Sequence, residues 1–504
     1  MLAASELSTG DEGDEGAYVN RVLLDLKVGV EQVEDAWREM VKRHEILRTC
    51  FVRAGHARYA FCQVVLGGFS HESEVVDVAD AAGVEGVMRK GVNWQAEGGE
   101  YKPPYSLTYI RVGGGMKLVL AMHHALYDGF AMEILYEEME AWMGGTGGEL
   151  GEAVSFAPFL RYMTGVDGER ADAHWRGLLR GFRPVSFTSP EKGGEVGLKK
   201  TGAVPRQNHV VKIAAEMGLA DIESRLAYHD ASLLSVCQAA WAALLASRTE
   251  STDVCLGSVV SGRTVPVEGL NRLVAPCFNT IPFRLRNLHR LSWLEAFRAL
   301  QSQNAGAVEW QMSGLRRVQM LAGVEGGGEG GLFDTLVLVQ TPEREMDGRV
   351  WGIEEDRGGM DFPVVVEIVP RPGVGSGGVL EVTLHTHGLP MTEEEVRGVA
   401  GMFDNFLAKA LGGAREQIVD AAQKGVWAAK TQERRDKRLR SDDGAAGAGA
   451  DDETAGEKWT ALEVTVRGVM AAFTTVPEAE IGRGTSIYGL GLDSINAVQV
   501  ATAM

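Results

Sequence analysis

Apolar residues along the chain fall by turns into short extended runs and helical stripes. Residues 18–26 read as a strand, and 30–44 as a helix with Val33, Trp37, Met40 and Val41 on one face. Strands are predicted over 47–52, 59–66, 106–112 and 117–122. A helix then carries Phe130, Ile134, Leu135, Met139 and Trp142 on one stripe. A loop-rich region covers roughly 144–202. Alternation resumes with a strand at 209–214, helices near 220–227 and 233–246, and strands at 254–260 and 279–286. A helix at 293–310, strands at 335–340, 364–369 and 379–387, and a helix at 393–411 complete the pattern. Two α/β lobes of comparable length are the simplest account, placed at 1–170 and 171–426.

After Trp427 the pattern stops. Lys430 to Arg440 is highly charged, and Ser441 to Asp452 is built from Gly, Ala, Ser and Asp. Neither stretch can bury a core, so 427–457 reads as a linker. A short apolar stripe follows, Leu462, Val466, Val469, Met470 and Phe473, and then Leu490-Gly-Leu-Asp-Ser-Ile495 opening a second helix. Taken by itself, Asp493-Ser494 is a good helix N-cap.

Composition narrows the classes. A length of 504 residues, with 45% hydrophobic and 24% charged positions, is that of an ordinary globular protein. The formal net charge of −19 argues against nucleic-acid and anionic-membrane partners. The basic run 434–440, flanked by Asp442, Asp443, Asp451 and Asp452, reads as a solvated tether. Five scattered cysteines without a CxxC pair leave no basis for a disulfide scaffold or a metal site, and fit a cytoplasmic location. Glycine is abundant, 64 of 504 or about 13% against a usual ~7%, but its clusters lack the context of a phosphate cradle. No nucleotide site is expected. The apolar stretch 233–246 is shorter than the ~20 residues of a membrane span and reads as a buried helix.

The chemistry concentrates in His123-His-Ala-Leu-Tyr-Asp-Gly129, where a predicted strand gives way to a helix. Histidine is suited to moving protons near neutrality. Adjacent strand residues point to opposite faces, so one His can face a cavity while the other packs or hydrogen-bonds behind it. Taken alone, a His pair before a helix is more often structural than catalytic.

The pattern HHxxxDG resembles the signature of chloramphenicol-acetyltransferase-like acyltransferases, a superfamily that includes the condensation domains of nonribosomal peptide synthetases. Three further segments are similar to condensation-domain motifs: Arg43-His-Glu-Ile-Leu-Arg-Thr-Cys-Phe51, Val274-Ala-Pro-Cys-Phe-Asn-Thr-Ile-Pro-Phe-Arg284 and Phe333-Asp-Thr-Leu-Val-Leu-Val-Gln340. The segment around Ser494 resembles the phosphopantetheine site of a peptidyl carrier protein. The spellings HHALYDG, PCFNTIP and LGLDSINA look most like fungal synthetases, including those for ferrichrome-type hydroxamate siderophores. Departures are Ala131 in place of a frequent serine and Tyr127 in place of a small residue. The chain also begins inside the family's first motif and stops within the carrier.

The resemblance implies two chloramphenicol-acetyltransferase-like lobes in a V shape with a central tunnel, plus a small, truncated all-α carrier domain at 458–504. It implies amide formation between a donor thioester and an acceptor aminoacyl thioester, both carrier-bound. In it His124 handles the amine proton or positions the amine, His123 packs behind, and N–H groups near Gly129 face the oxyanion. Asp128 pairs with Arg43, Arg48 or Arg284, and these arginines and Asn279 are structural. Ser494 carries 4'-phosphopantetheine, whose phosphate would sit at a helix N-terminus. Partners would be donor and acceptor carrier domains, an adenylation domain, other modules and a phosphopantetheinyl transferase. An acyl-CoA-dependent transferase and a non-catalytic carrier-recruiting module are the alternatives. An epimerisation domain is weaker, for lack of an EGHGR-like segment.

Overall fold

The computed structural model describes residues 18–54, 61–90, 92, 101–187, 207–323, 331–358, 362–373 and 377–419. The linker, the carrier segment and Ser494 lie outside them. In chain order the elements are β1 (Val19–Leu26), α1 (Val30–Arg43), β2 (Thr49–Arg53), β3 (Phe61–Val65), β4 (Ser73–Asp77), α2 (Ala81–Met88), β5 (Tyr105–Val112), β6 (Gly115–His123), α3 (Gly129–Met143), α4 (Ala157–Gly165) and α5 (Gly168–Leu179). Then follow β7 (Gln207–Ala214), α6 (Leu219–His229), α7 (Leu233–Thr249), β8 (Val254–Val260), β9 (Asn279–Leu285), α8 (Trp293–Ala307), α9 (Leu315–Leu321) and β10 (Thr335–Val339). The last are β11 (Trp351–Arg357), β12 (Val364–Arg371), β13 (Val379–Leu389) and α10 (Glu393–Gly412).

The chain divides into two compact units. The first joins Met1–Val166 to two later stretches, Ser261–Phe278 and Glu343–Asp361. Its five-stranded sheet runs β11-β1-β6-β5-β4. All neighbours are antiparallel except the β4–β5 pair. β6 is central because Leu118 to Met122 are apolar on both faces, and all five are buried. One face is covered by α2, where Val87 and Met88 pack with Leu23, Ile110 and Val119. The other face takes α1, whose Trp37 meets Tyr105 edge-on at 5.2 Å. Val33, Trp37, Met40 and Val41 are all buried, at the spacing of one helix face.

The second unit comprises Asp167–Val260, Asn279–Pro342 and Phe362–Met504. Its six-stranded sheet runs β7-β13-β12-β10-β8-β9, with parallel pairs at β12–β10 and β10–β8. α7 is apolar on all sides and is buried along almost its whole length, against α8 and α10. No single described helix is long and apolar enough to cross a membrane.

Six elements are absent from the sequence expectation: the short helices α2 and α9, the helices α4 and α5, and the strands β4 and β11. The region read as loop-rich holds α4 and α5. α5 buries Ala171, Trp175 and Leu179, a single narrow stripe in an otherwise charged helix. β4 and β11 are edge strands with one buried residue between them, so neither shows a buried alternation.

Candidate active site

Three carboxylates, Asp128 at the N-cap of α3 and Glu138 and Glu140 within it, tie remote stretches of the first unit to one helix. Asp128 is the N-cap of α3, its Oδ1 accepting from the Ala131 N–H at 2.8 Å. The same oxygen accepts from Arg263 at 2.6 Å, and Oδ2 accepts from the Cys277 N–H at 2.9 Å. Arg263 also donates to the carbonyls of Leu270, Leu273 and Ala275, and lies over the Phe130 ring at 4.6 Å. It thereby organises the whole 261–278 stretch. Ten residues on, Glu138 accepts from Arg43 and His44, both at 2.7 Å, fastening the end of α1. Glu140 accepts from Arg344, the Asp347 N–H and the Trp351 indole N–H, fastening the start of 343–361.

The expected partner of Asp128 is therefore corrected. Arg43 is held by Glu138 and the Gly151 carbonyl. Arg48 donates to the Leu66 carbonyl across the β2–β3 hairpin. Arg284 belongs to the second unit, where Asp253 binds it in a two-point fork at 2.7 and 2.5 Å and the carbonyls of Leu178 and Arg180 take its remaining N–H. Asn279, also in the second unit, donates to the carbonyls of Gln311 and Ser313 and clamps the turn after α8. Arg263 was not legible as a site residue: it stands 135 positions from Asp128. Its one local signal is the left-handed Gly262 (φ +65°) that turns the chain just after β8.

His123 ends β6 and is buried, at 2% exposure. Its Nδ1 accepts from the Ala125 N–H at 3.0 Å, which places the ring hydrogen of the neutral form on Nε2. Burial, reinforced by neighbouring His124, pushes its pKa down to about 3, so it is neutral at any physiological pH. The Leu126 N–H closes the turn onto the His123 carbonyl. That turn carries His124, which is only half-buried.

His124 continues the register of β6, its N–H donating to the Tyr18 carbonyl at 2.8 Å. Tyr127 stacks on its imidazole with centroids 4.5 Å apart and planes at 20°. Phe278 meets it edge-on at 5.8 Å. Burial lowers the His124 pKa, only partly offset by the Tyr127 backbone and the Asp128 carboxylate. The ring is therefore neutral near pH 7 and has a lone pair to offer. Gly129 opens α3 with an ordinary φ, and a Cβ added there would meet open space among the described residues. Its N–H and that of Phe130 belong to the first helical turn, where amides lack intrahelical acceptors and the dipole favours an anion. Cys277 is buried with its thiol pKa pushed up to about 12, and is inert. Among the described residues no group of three or more potential ligands could hold a metal ion.

A histidine a few residues before a helix N-terminus is a general arrangement, and comparison with known proteins narrows it. The family model described as the condensation domain matches residues 12–420. The chain is 35% identical over 511 residues to nonribosomal peptide synthetase 2 of Gibberella zeae, covering 100% of the chain and 10% of that protein. It is 34% identical over 498 residues to nonribosomal peptide synthetase SIDC of Beauveria bassiana, covering 97% and 10%. The chain thus spans about a tenth of the length of these curated relatives. Among solved structures, the condensation domain from the monacolin K polyketide synthase MokA superposes with a TM-score of 0.65 at 18% identity, covering 83% of this chain and 97% of that one. The general function of such domains in nonribosomal peptide synthetases is amide-bond formation between carrier-bound substrates, an acyl or peptidyl transfer. With 12–420 matched, the chain belongs to the condensation-domain family.

Proposed function

We propose that this chain joins a donor acyl or peptidyl thioester to an acceptor aminoacyl thioester, both carrier-bound, with His124 as the group that handles the amine proton. The acceptor nitrogen attacks the donor carbonyl carbon, forming the C–N bond. The C–S bond then breaks and the sulfur leaves as a thiolate. The proton lost by nitrogen passes to His124 and from there to the sulfur, so charge balances over the cycle. A thioester is already a good electrophile, so alignment and one proton transfer are the main demands. The observation that carries the reading is a neutral, half-buried imidazole on a turn held by His123 and Asp128. Gly129 and Phe130 would offer N–H groups to the tetrahedral oxyanion.

The V-shaped pair of lobes with a central tunnel, the linker at 427–457 and a carrier domain at 458–504 belong to the same proposal. Ser494 would hold 4'-phosphopantetheine at the start of the helix expected after Asp493, and that group would supply the thiol for thioester chemistry. Sequence alone supports this part. Donor and acceptor carriers, an adenylation domain, further modules and a phosphopantetheinyl transferase would be the partners. The location would be cytoplasmic, and hydroxamate siderophore assembly is the proposed setting.

The test supplies the chain with a loaded donor carrier and a loaded acceptor carrier and follows the amide product by mass spectrometry. A parallel reaction offers the donor as a free CoA thioester. Product from the carrier-bound donor alone supports the proposal. Equal turnover of free acyl-CoA would assign the chain to the acyl-CoA transferases, and no product from either would leave a recruiting module.

A further inference from the structure

A catalytic histidine is usually oriented by a hydrogen bond to its second ring nitrogen. His123 has such a bond, from the Ala125 N–H. His124 does not: its Nδ1 is buried and has no hydrogen-bond partner among the described residues. With Nδ1 unpartnered, packing against the ring faces takes a large part in its orientation. The group packed face to face on it is Tyr127, at 4.5 Å and 20°, with Phe278 at the edge.

Tyr127 is itself 2% exposed, and its hydroxyl is buried without a partner within hydrogen-bonding distance. Asn20 on β1, opposite Met122 in the register, has a side-chain carbonyl in the same condition. Burial raises the hydroxyl's pKa well above its usual value, and the Asn20 side chain acts weakly in the opposite direction. One orphan is a donor and the other an acceptor, so a small approach satisfies both. A phenylalanine would fill the space without burying a lone hydroxyl.

We infer that Tyr127 is a positioning residue for His124: a buried ring platform, stacked face to face on the imidazole, that fixes the plane of that ring. The inference rests on the reading of His124 given under Proposed function. It has a readout independent of that reading, because a stacked phenol shifts the imidazole ring protons upfield whatever the ring does.

The test uses the full chain with selectively labelled histidine, the His124 resonances assigned through His124→Gln. Wild type should show His124 ring protons upfield of exposed histidines. Tyr127→Phe should keep the shift, and Tyr127→Leu should abolish it. In the two-carrier assay Tyr127→Leu should lower kcat by up to about a hundred-fold, the cost of misplacing a reacting group by an ångström. KM for the loaded carriers should stay unchanged. Tyr127→Phe, which keeps the ring, should retain most of the wild-type rate. A wild-type His124 without the upfield shift overturns the inference, even if Tyr127→Leu does not fold. So does a folded Tyr127→Leu chain with wild-type kcat. If His124→Ala retains full activity while the shift is present, the functional reading fails and the stack stands.

Discussion

Replacing Asp128 by Asn separates two roles that the carboxylate performs at once. Asn caps a helix about as well as Asp, so the bond from the Ala131 N–H can be kept and the cap contribution of ~1 kcal/mol is spared. The negative charge is lost, however, and Arg263 is left without its counterion. The two side chains are 6% and 7% exposed, so solvent cannot replace the missing partner. Removing one member of a buried pair costs about 3–5 kcal/mol, several times the value of a cap. Three donors, the Ala131 N–H, the Cys277 N–H and Arg263, would also share one amide oxygen, and keeping the first turns the amide NH2 toward the Cys277 N–H. Loosening should spread into 261–278, because Arg263 fixes the carbonyls of Leu270, Leu273 and Ala275. Peptide-resolved hydrogen exchange should show faster opening both at 124–132 and at 261–278 in Asp128→Asn, and the same in Arg263→Leu. The double variant should be less destabilised than the sum of the two, since neither charge is then buried alone. Exchange confined to the first turn of α3, or strictly additive effects, would refute the ion-pair argument and leave Asp128 a simple cap.

Three further outcomes are expected. His123 has a folded pKa of about 3 against about 6.5 unfolded, so stability falls as pH drops between them, by about 2 kcal/mol from pH 7 to pH 5. His123→Asn, which retains an acceptor for the Ala125 N–H, should flatten that stretch of the urea-midpoint curve; an unchanged slope would count against it. Gly129→Ala should leave the fold intact, or raise stability by about 0.5–1 kcal/mol, because φ is ordinary and the added methyl meets open space. Condensation should nonetheless slow, and full activity would deny the N-terminal turn of α3 a place beside substrate. At Glu138, burial raises the carboxyl pKa but hydrogen bonds from His44 and Arg43 outweigh it, and the net shift is downward. Its stabilisation is therefore present above the unfolded carboxyl pKa of about 4.3 and lost as pH falls through the lower folded value. Glu138→Gln should destabilise at pH 7 and converge on wild type in acid; a gap that persists at low pH would contradict the assignment.

Elements with a strong apolar period were legible in the sequence. The stripe Val33, Trp37, Met40 and Val41 gave α1, and the uninterrupted run Leu118 to Met122 gave the central strand β6. Elements at sheet edges were not. β11 reads Trp-Gly-Ile-Glu-Glu-Asp-Arg, and only its first residue is buried. Its place beside β1 depends on Glu140 of α3, which takes Arg344, Asp347 and Trp351 from more than 200 positions away. The same limit explains Arg263, whose partner is fixed by tertiary packing and by no local spacing. Phe130 fitted the apolar stripe of α3, yet it is 45% exposed, since its side chain lies at the first turn under the Arg263 guanidinium. Tyr127 stood in the motif from the outset, but a stack on His124 three residues away depends on how the turn closes.

The central claim is that His124 handles the proton of the condensation step while its neighbours only hold it in place. The direct measurement is the single-turnover rate of amide formation between loaded donor and acceptor carriers by a folded His124→Ala chain. Loss of a general base or positioning group is worth about 10²- to 10⁴-fold, and a fall of that size with unchanged hydrogen exchange at 261–278 is the expected result. A wild-type rate from the folded variant would contradict it.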